Sequence, residues 1–129
     1  MSDFININLD DVDDGSDPVP AGLRHVRIKS AQRKHKDGSE YPYIDVRLSP
    51  LDVEEKFLRR QLFLTLSFHP GAMWNMKRFI KAAQIPTGAE GFSLEDFIGK
   101  ELFVTVKHAP AQNDPEAIRA EVNPPYAKA

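Results

Sequence analysis

Residues 59–84 read RRQLFLTLSFHPGAMWNMKRFIKAAQ, and within this stretch the hydrophobic period changes once. Over residues 59–68, Leu62, Leu64, Leu66 and Phe68 share one face while Phe63, Thr65 and Ser67 share the other, the period of two that belongs to a half-buried strand. His69-Pro70-Gly71 ends the run, because proline has no N–H to give to a ladder and fixes its own φ. From Ala72 to Gln84 the apolar residues fall at helical spacing. Ala72, Met73, Met76, Phe79, Ile80 and Ala83 occupy one arc, and Trp74, Lys77, Arg78 and Lys81 occupy the opposite one. The stretch therefore predicts a strand feeding one amphipathic helix.

Working outward, the same alternation recurs on both sides. Upstream, Leu23 to Arg33 places Val26 and Ile28 on one face and His25, Arg27 and Lys29 on the other. Lys36-Asp37-Gly38-Ser39 is a tight-turn sequence, and its return arm sets Ile44, Val46 and Leu48 against Tyr41, Tyr43, Asp45 and Arg47. Downstream, Ser93 and Asp96 resemble a capping box for a short turn closed by Gly99, with Leu94, Phe97 and Ile98 as a plug for the core. Leu102, Val104 and Val106 then alternate with Phe103, Thr105 and Lys107, and Ile118, Ala120 and Val122 alternate with Arg119 and Glu121. The connecting loop, Ala109 to Glu116, is rich in Pro, Asn and Asp. At the start of the chain Ile5, Ile7 and Leu9 alternate with asparagines as a short edge strand would.

Three strands, one helix and two strands give a mainly β class. The order is that of a five-stranded OB-fold barrel with one α-helix between strands 3 and 4. A β-sandwich is the competing arrangement, whereas parallel βαβ architectures need more helices than the single long one here. The domain organisation that follows is an acidic N-terminal extension over residues 1–20, an OB-fold domain over 21–126 and a short C-terminal tail over 127–129.

With 129 residues the chain is sized for one domain with a real core. No apolar run approaches the roughly 20 residues of a membrane span, no basic leader is visible, and cysteine is absent, so a cytoplasmic protein stabilised by packing alone is expected. The net charge of −2 conceals an asymmetry. Asp3, Asp10, Asp11, Asp13, Asp14 and Asp17 precede residue 21, while the rest of the chain holds all 17 Lys and Arg and only 13 of the 19 Asp and Glu. The body is basic, which suits a polyanion, though a plain solvated surface would read the same way.

The outward positions of the first three strands bring cations and rings together. Aromatic rings stack on unpaired bases while Lys and Arg follow phosphates, so this combination points to single-stranded nucleic acid more than to a duplex, whose base faces are hidden. The expected contacts are Arg27, Lys29, Lys34, Lys36, Arg47 and Lys107 on phosphates, with Tyr41, Tyr43, Phe63 and Phe103 stacking bases. Arg59 and Arg60 could extend the groove. The Trp74, Lys77, Arg78 and Lys81 arc offers a second surface, although a ring as large as Trp74 is expected to fold over a loop or the barrel end.

Catalysis is not expected. His25, His35, His69 and His108 are scattered, no HExxH or phosphate-binding glycine loop occurs, and the acid pairs fall in loops. No metal and no cofactor are anticipated. An RNA binder of cold-shock type would use the same stacking, and a protein-interaction OB module recruiting a recombinase or replication factor is the reading from another class.

The runs Asn8-Leu9-Asp10-Asp11-Val12, Pro18-Val19-Pro20-Ala21-Gly22, Val26-Arg27-Ile28, Ala72-Met73-Trp74-Asn75-Met76-Lys77-Arg78-Phe79 and Ile98-Gly99-Lys100-Glu101-Leu102 resemble small bacteriophage OB-fold single-stranded DNA-binding proteins, formerly filed as a domain of unknown function. That resemblance implies a sequence-tolerant binder of phage DNA replication and recombination in the cytoplasm of an infected bacterium, with phage or host replication proteins as partners. The segment Asn123-Pro124-Pro125-Tyr126-Ala127-Lys128-Ala129 departs from it in lacking an acidic partner-docking tail. Edge strands and the helix face offer surfaces for a dimer, and the acidic N-terminal segment could compete with DNA for the basic groove.

Overall fold

The structure, a computed structural model, describes residues 5–6, 18–110 and 118–129. Five strands, β1 (Gly22–Lys34), β2 (Tyr43–Pro50), β3 (Leu62–Ser67), β4 (Glu101–Pro110) and β5 (Ile118–Lys128), form one antiparallel sheet in the order β3-β2-β1-β4-β5. One helix, α1 (Met73–Ala83), lies between β3 and β4. No hydrogen-bonded ladder joins the edge strands β3 and β5, yet their Cα atoms come within 8 Å of one another. Among the described residues no helix is long and apolar enough to cross a membrane.

The alternation in each strand is realised as an inner and an outer face. Val26, Ile28, Ile44, Val46, Leu48, Leu62, Leu66, Leu102, Val104 and Val106 are essentially inaccessible, and the residues that alternate with them along each strand point outward. β1 is long enough to serve two partners, pairing with β4 over residues 22–27 and with β2 over 26–34. Its register with β2 slips between Ile28 and Ser30, leaving Lys29 unpaired in a bulge of the kind that bends a strand and increases its twist. The hairpin turn forms as its sequence demands: Gly38 has φ 81°, and the Ser39 N–H donates to the Lys36 carbonyl at 3.0 Å.

The helix seals the sheet with the expected arc. Met76, Phe79, Ile80, Ala82 and Ala83 are buried; Phe79 stacks near Phe97 and meets Tyr126 edge-on, with centroids 6.3 and 5.4 Å apart. Truncating a ring packed like Phe79 to alanine costs about 3–5 kcal/mol. Met73, expected on this arc, is 40% exposed because it opens the helix before the chain reaches the core. Of the plug residues Phe97 is fully buried and Leu94 packs partly against the core, but Ile98 is 51% exposed. Its extended backbone turns the side chain away before Gly99, whose N–H donates to the Ile28 carbonyl at 2.9 Å. Ser93 accepts from the Glu95 N–H at 3.3 Å, so the turn is capped two residues on and not through a box with Asp96.

Both expected boundaries of the domain move. Val19 is 2% exposed within the core, and its carbonyl lies 2.8 Å from His108 Nε2, so part of the segment assigned to the extension belongs to the folded body. At the other end β5 runs to Lys128. Pro124 and Pro125 occupy a register shift between Val104 and Thr105, where no ladder N–H is required of them, and the Thr105 hydroxyl donates to the Pro125 carbonyl at 2.9 Å. Ala127 and Lys128 then pair with Phe103 and Leu102 and are strand, not tail. The short strand expected around Ile7 and Leu9 lies outside the described residues; Ile5 is exposed.

Candidate nucleic-acid interface

Residues opposed in an antiparallel ladder point to the same side of a sheet, so the registers fix the rows of the outer face. Phe63, Arg47 and Ser30 form one row across β3, β2 and β1; Thr65, Asp45 and Gln32 form the next; Ser67, Tyr43 and Lys34 form the third. On the other side of the β1 bulge, Ser49, Arg27 and Glu101 make a row, followed by His25, Phe103 and Ala127 on β1, β4 and β5. Arg27, Lys34, Tyr43, Arg47, Phe63 and Phe103 are thereby brought onto one face, Lys34 because the bulge at Lys29 reverses the parity of β1 and the others as the alternation predicts.

The rings and cations on this face touch one another. Phe63 is 58% exposed, with the Arg47 guanidinium 5.3 Å from its centroid. The Phe103 ring lies 5.1 Å from that of His25, tilted by 31°. Tyr43 is half-buried on the outer face between Lys34 and Ser67. An exposed ring carrying a guanidinium presents a stacking surface beside a phosphate ligand, and a cation over a ring contributes about 0.5–1 kcal/mol of its own when exposed.

Two carboxylates divide the face electrostatically. Asp45 lies 2.9 Å from Lys34 Nζ and 3.8 Å from Arg47 Nε. Glu101 lies 2.8 Å from His25 Nε2 and 3.1 Å from the Arg27 guanidinium. The hydrogen bond from Arg27 chiefly, with the positive charge of Arg27 and the contributions of His25, holds the Glu101 carboxyl below the usual range against the opposing effect of desolvation. Each carboxylate is shared by two basic side chains, and the anion fixes them in place. Exposed pairs of this kind contribute little to stability, which makes them exchangeable for a phosphate.

Other expected contacts are more peripheral. Lys29 is exposed at the bulge, Lys36 is exposed in the hairpin turn, and Lys107 is exposed on β4 opposite Glu121. Tyr41 precedes β2 and packs edge-on against His69, with centroids 5.1 Å apart, which ties it to the turn before α1. Arg59 and Arg60 precede β3, and the Arg60 guanidinium sits 5.4 Å from the Phe57 ring.

Trp74 departs from its expected burial. It is 51% exposed on the outer arc of α1, and the Arg78 guanidinium lies 5.0 Å from its ring. The helix N-terminus projects past the core here, so Phe79 and Met76 seal the sheet and Trp74 is not needed for it. The role of Glu101 and Asp45 as shared counter-charges is what sequence reasoning missed. Asp45 has the parity of Tyr43 and Arg47, and Glu101 that of Phe103, which is the signal that marks both as outward.

No family model matches the chain, and no curated protein matches it.

Proposed function

We propose that the chain is a non-catalytic, sequence-tolerant single-stranded DNA-binding protein built on an OB-type barrel. The observation that carries the reading is the outer sheet face, where exposed or half-exposed rings on three strands stand beside Arg27, Lys34 and Arg47. A strand order of β3-β2-β1-β4-β5 with a helix after β3, and edge strands that approach each other, is what an OB barrel near closure would give. On this reading Phe63, Tyr43 and Phe103 stack successive bases. Arg27, Lys34 and Arg47 exchange their carboxylates for phosphates, with Lys29, Lys36 and Lys107 along the rim. The phage replication and recombination setting is proposed from the sequence resemblance alone.

The test is a titration of fluorescent oligo(dT) against rising salt, repeated with oligo(rU). Binding whose log K falls with log salt by about 0.7 per neutralised phosphate supports the reading, and an equal or stronger response to oligo(rU) would move it to RNA. If neither oligomer binds at low salt the proposal is lost, and recruitment of a recombinase or replication factor becomes the better account.

A further inference from the structure

The two surfaces that carry exposed rings differ in how their cations are balanced. On the sheet face Arg27, Lys34 and Arg47 each meet a carboxylate. On the outer arc of α1, Lys77, Arg78 and Lys81 are exposed, and among the described residues none of them forms an ion pair. The reason is visible in the sequence, which contains no Asp or Glu from Lys56 to Ala89. Trp74 lies on the same arc with Arg78 5.0 Å from its ring, repeating the arrangement of Arg47 over Phe63 at 5.3 Å.

The two surfaces are also continuous. Arg78 and Lys81 line a cleft together with Tyr126, Ala127 and Lys128 from the end of β5, and no carboxylate lines it. Ala127 is at the same time the ladder partner of Phe103, the last ring of the sheet-face row that starts at His25. Ala127 thus belongs both to the outer row of Phe103 and to the cleft of Lys128, Arg78 and Lys81, so a chain leaving Phe103 would meet that cleft by crossing the end of β5.

We propose that the helix face is a second contact for the same single-stranded nucleic acid, with Trp74 stacking a base and Lys77, Arg78, Lys81 and Lys128 on phosphates. This rests on the reading of the sheet face given above. The continuity and the repeated pairing of an arginine with an exposed ring favour a nucleotide chain over an acidic peptide, whose recognition needs neither.

Oligomer length separates the two contacts, since one OB fold covers roughly 4–16 nucleotides. The full chain, a Lys77→Ala, Arg78→Ala, Lys81→Ala triple variant and Trp74→Ala are titrated with oligo(dT) of about 6 and about 16 nucleotides, the ends of that range. All four positions are exposed, so the folded state should tolerate the changes. The wild-type chain should bind the long oligomer more tightly than the short one. The triple variant should lose about tenfold or more on the long oligomer, its salt slope falling by about 2, and bind the short one as wild type does. Trp74→Ala should lose several-fold on the long oligomer only, and Trp74 fluorescence should respond to that oligomer and not to poly-glutamate.

Strong binding of the short oligomer with no loss by the variants on the long one, or with equal losses on both, would overturn the inference and leave the sheet-face reading standing. A Trp74 response to poly-glutamate alone would also overturn it and assign the helix face to an acidic protein. Failure of the wild-type chain to bind either length would defeat the sheet-face reading, and this inference with it.

Discussion

The Arg47 guanidinium lies 5.3 Å from the Phe63 ring, and the two residues are direct partners in the β2–β3 ladder. A ring that is more than half exposed contributes little to the core, so its replacement separates binding from folding. Phe63→Ala should weaken oligo(dT) binding by about 1–3 kcal/mol, while its unfolding free energy stays within about 0.5 kcal/mol of wild type. Phe63→Tyr should retain most of the affinity, because a phenol stacks as a phenyl ring does. Fluorescence anisotropy and a denaturant titration on the same samples provide the check, and undiminished affinity in Phe63→Ala would remove this ring from the interface.

Glu101 competes with phosphate for Arg27 and His25. Glu101→Gln should therefore tighten oligo(dT) binding several-fold at low ionic strength, with the gain disappearing as added salt screens the exposed charges. The sign of the pH effect follows from the lowered carboxyl. Arg27, chiefly, holds the folded Glu101 below its unfolded value, so its contribution to stability is present above the ordinary carboxylate range and is lost as pH falls through the folded value. Over that same fall the freed cations should bind DNA more tightly in wild type than at neutral pH, and Glu101→Gln should lack this part of the response. Binding isotherms at several acidic pH values, taken above the onset of unfolding, test it.

How much of this was legible in the sequence depended on whether the signal was local. The inner and outer faces of β2, β3, β4 and the first half of β1 followed from alternation, because one shifted residue would turn Val26, Val46 or Leu64 to water, whereas beyond the bulge at Lys29 the parity of β1 reverses. The helix followed from its arc. What could not be read locally was the pairing of Glu101 with Arg27, residues 74 apart whose contact depends on the β1–β4 register. The continuation of β5 was hidden for a different reason: Pro124-Pro125 reads as a strand end, and only a bulge opposite Thr105 allows the chain to resume with Tyr126. Trp74 was misjudged because residue size argued for burial, while the position of Phe79 one turn further on decided which ring the core received.

Tyr126 anchors the resumed strand to the helix. Its hydroxyl donates to Asn75 Oδ1 at 2.7 Å, and burial raises its pKa to about 12. The folded value lies above the ordinary 10, so the stabilisation is fully present below pH 10 and is lost as pH rises from there through about 12. The loss should reach at most about 2 kcal/mol, since the ring retains some solvent contact that screens the charge. Tyr126→Phe should cost about 1 kcal/mol near neutral pH by stranding Asn75, and should show a shallower decline between pH 10 and 12. Denaturant unfolding at pH 8 and at pH 11 compares the two proteins directly; parallel declines would exclude Tyr126 as the source.

The acidic segment that precedes the sheet can be removed cleanly only if the cut respects Val19. Six aspartates lie in residues 1–17, whereas Val19 is buried and its carbonyl is held 2.8 Å from His108 Nε2. Deleting residues 1–17 should leave stability nearly unchanged, and deleting residues 1–20 should cost about 1.5–3 kcal/mol for the lost valine, as well as the bond from His108. If the aspartates compete with DNA for the cationic face, the shorter deletion should also tighten oligo(dT) binding, most strongly at low salt, because it removes six negative charges from a chain whose remaining body is basic. A shorter deletion that folds as wild type and binds with unchanged affinity at low salt would show that these charges do not reach the interface. A longer deletion as stable as the shorter one would mean that Val19 contributes nothing to the core it occupies.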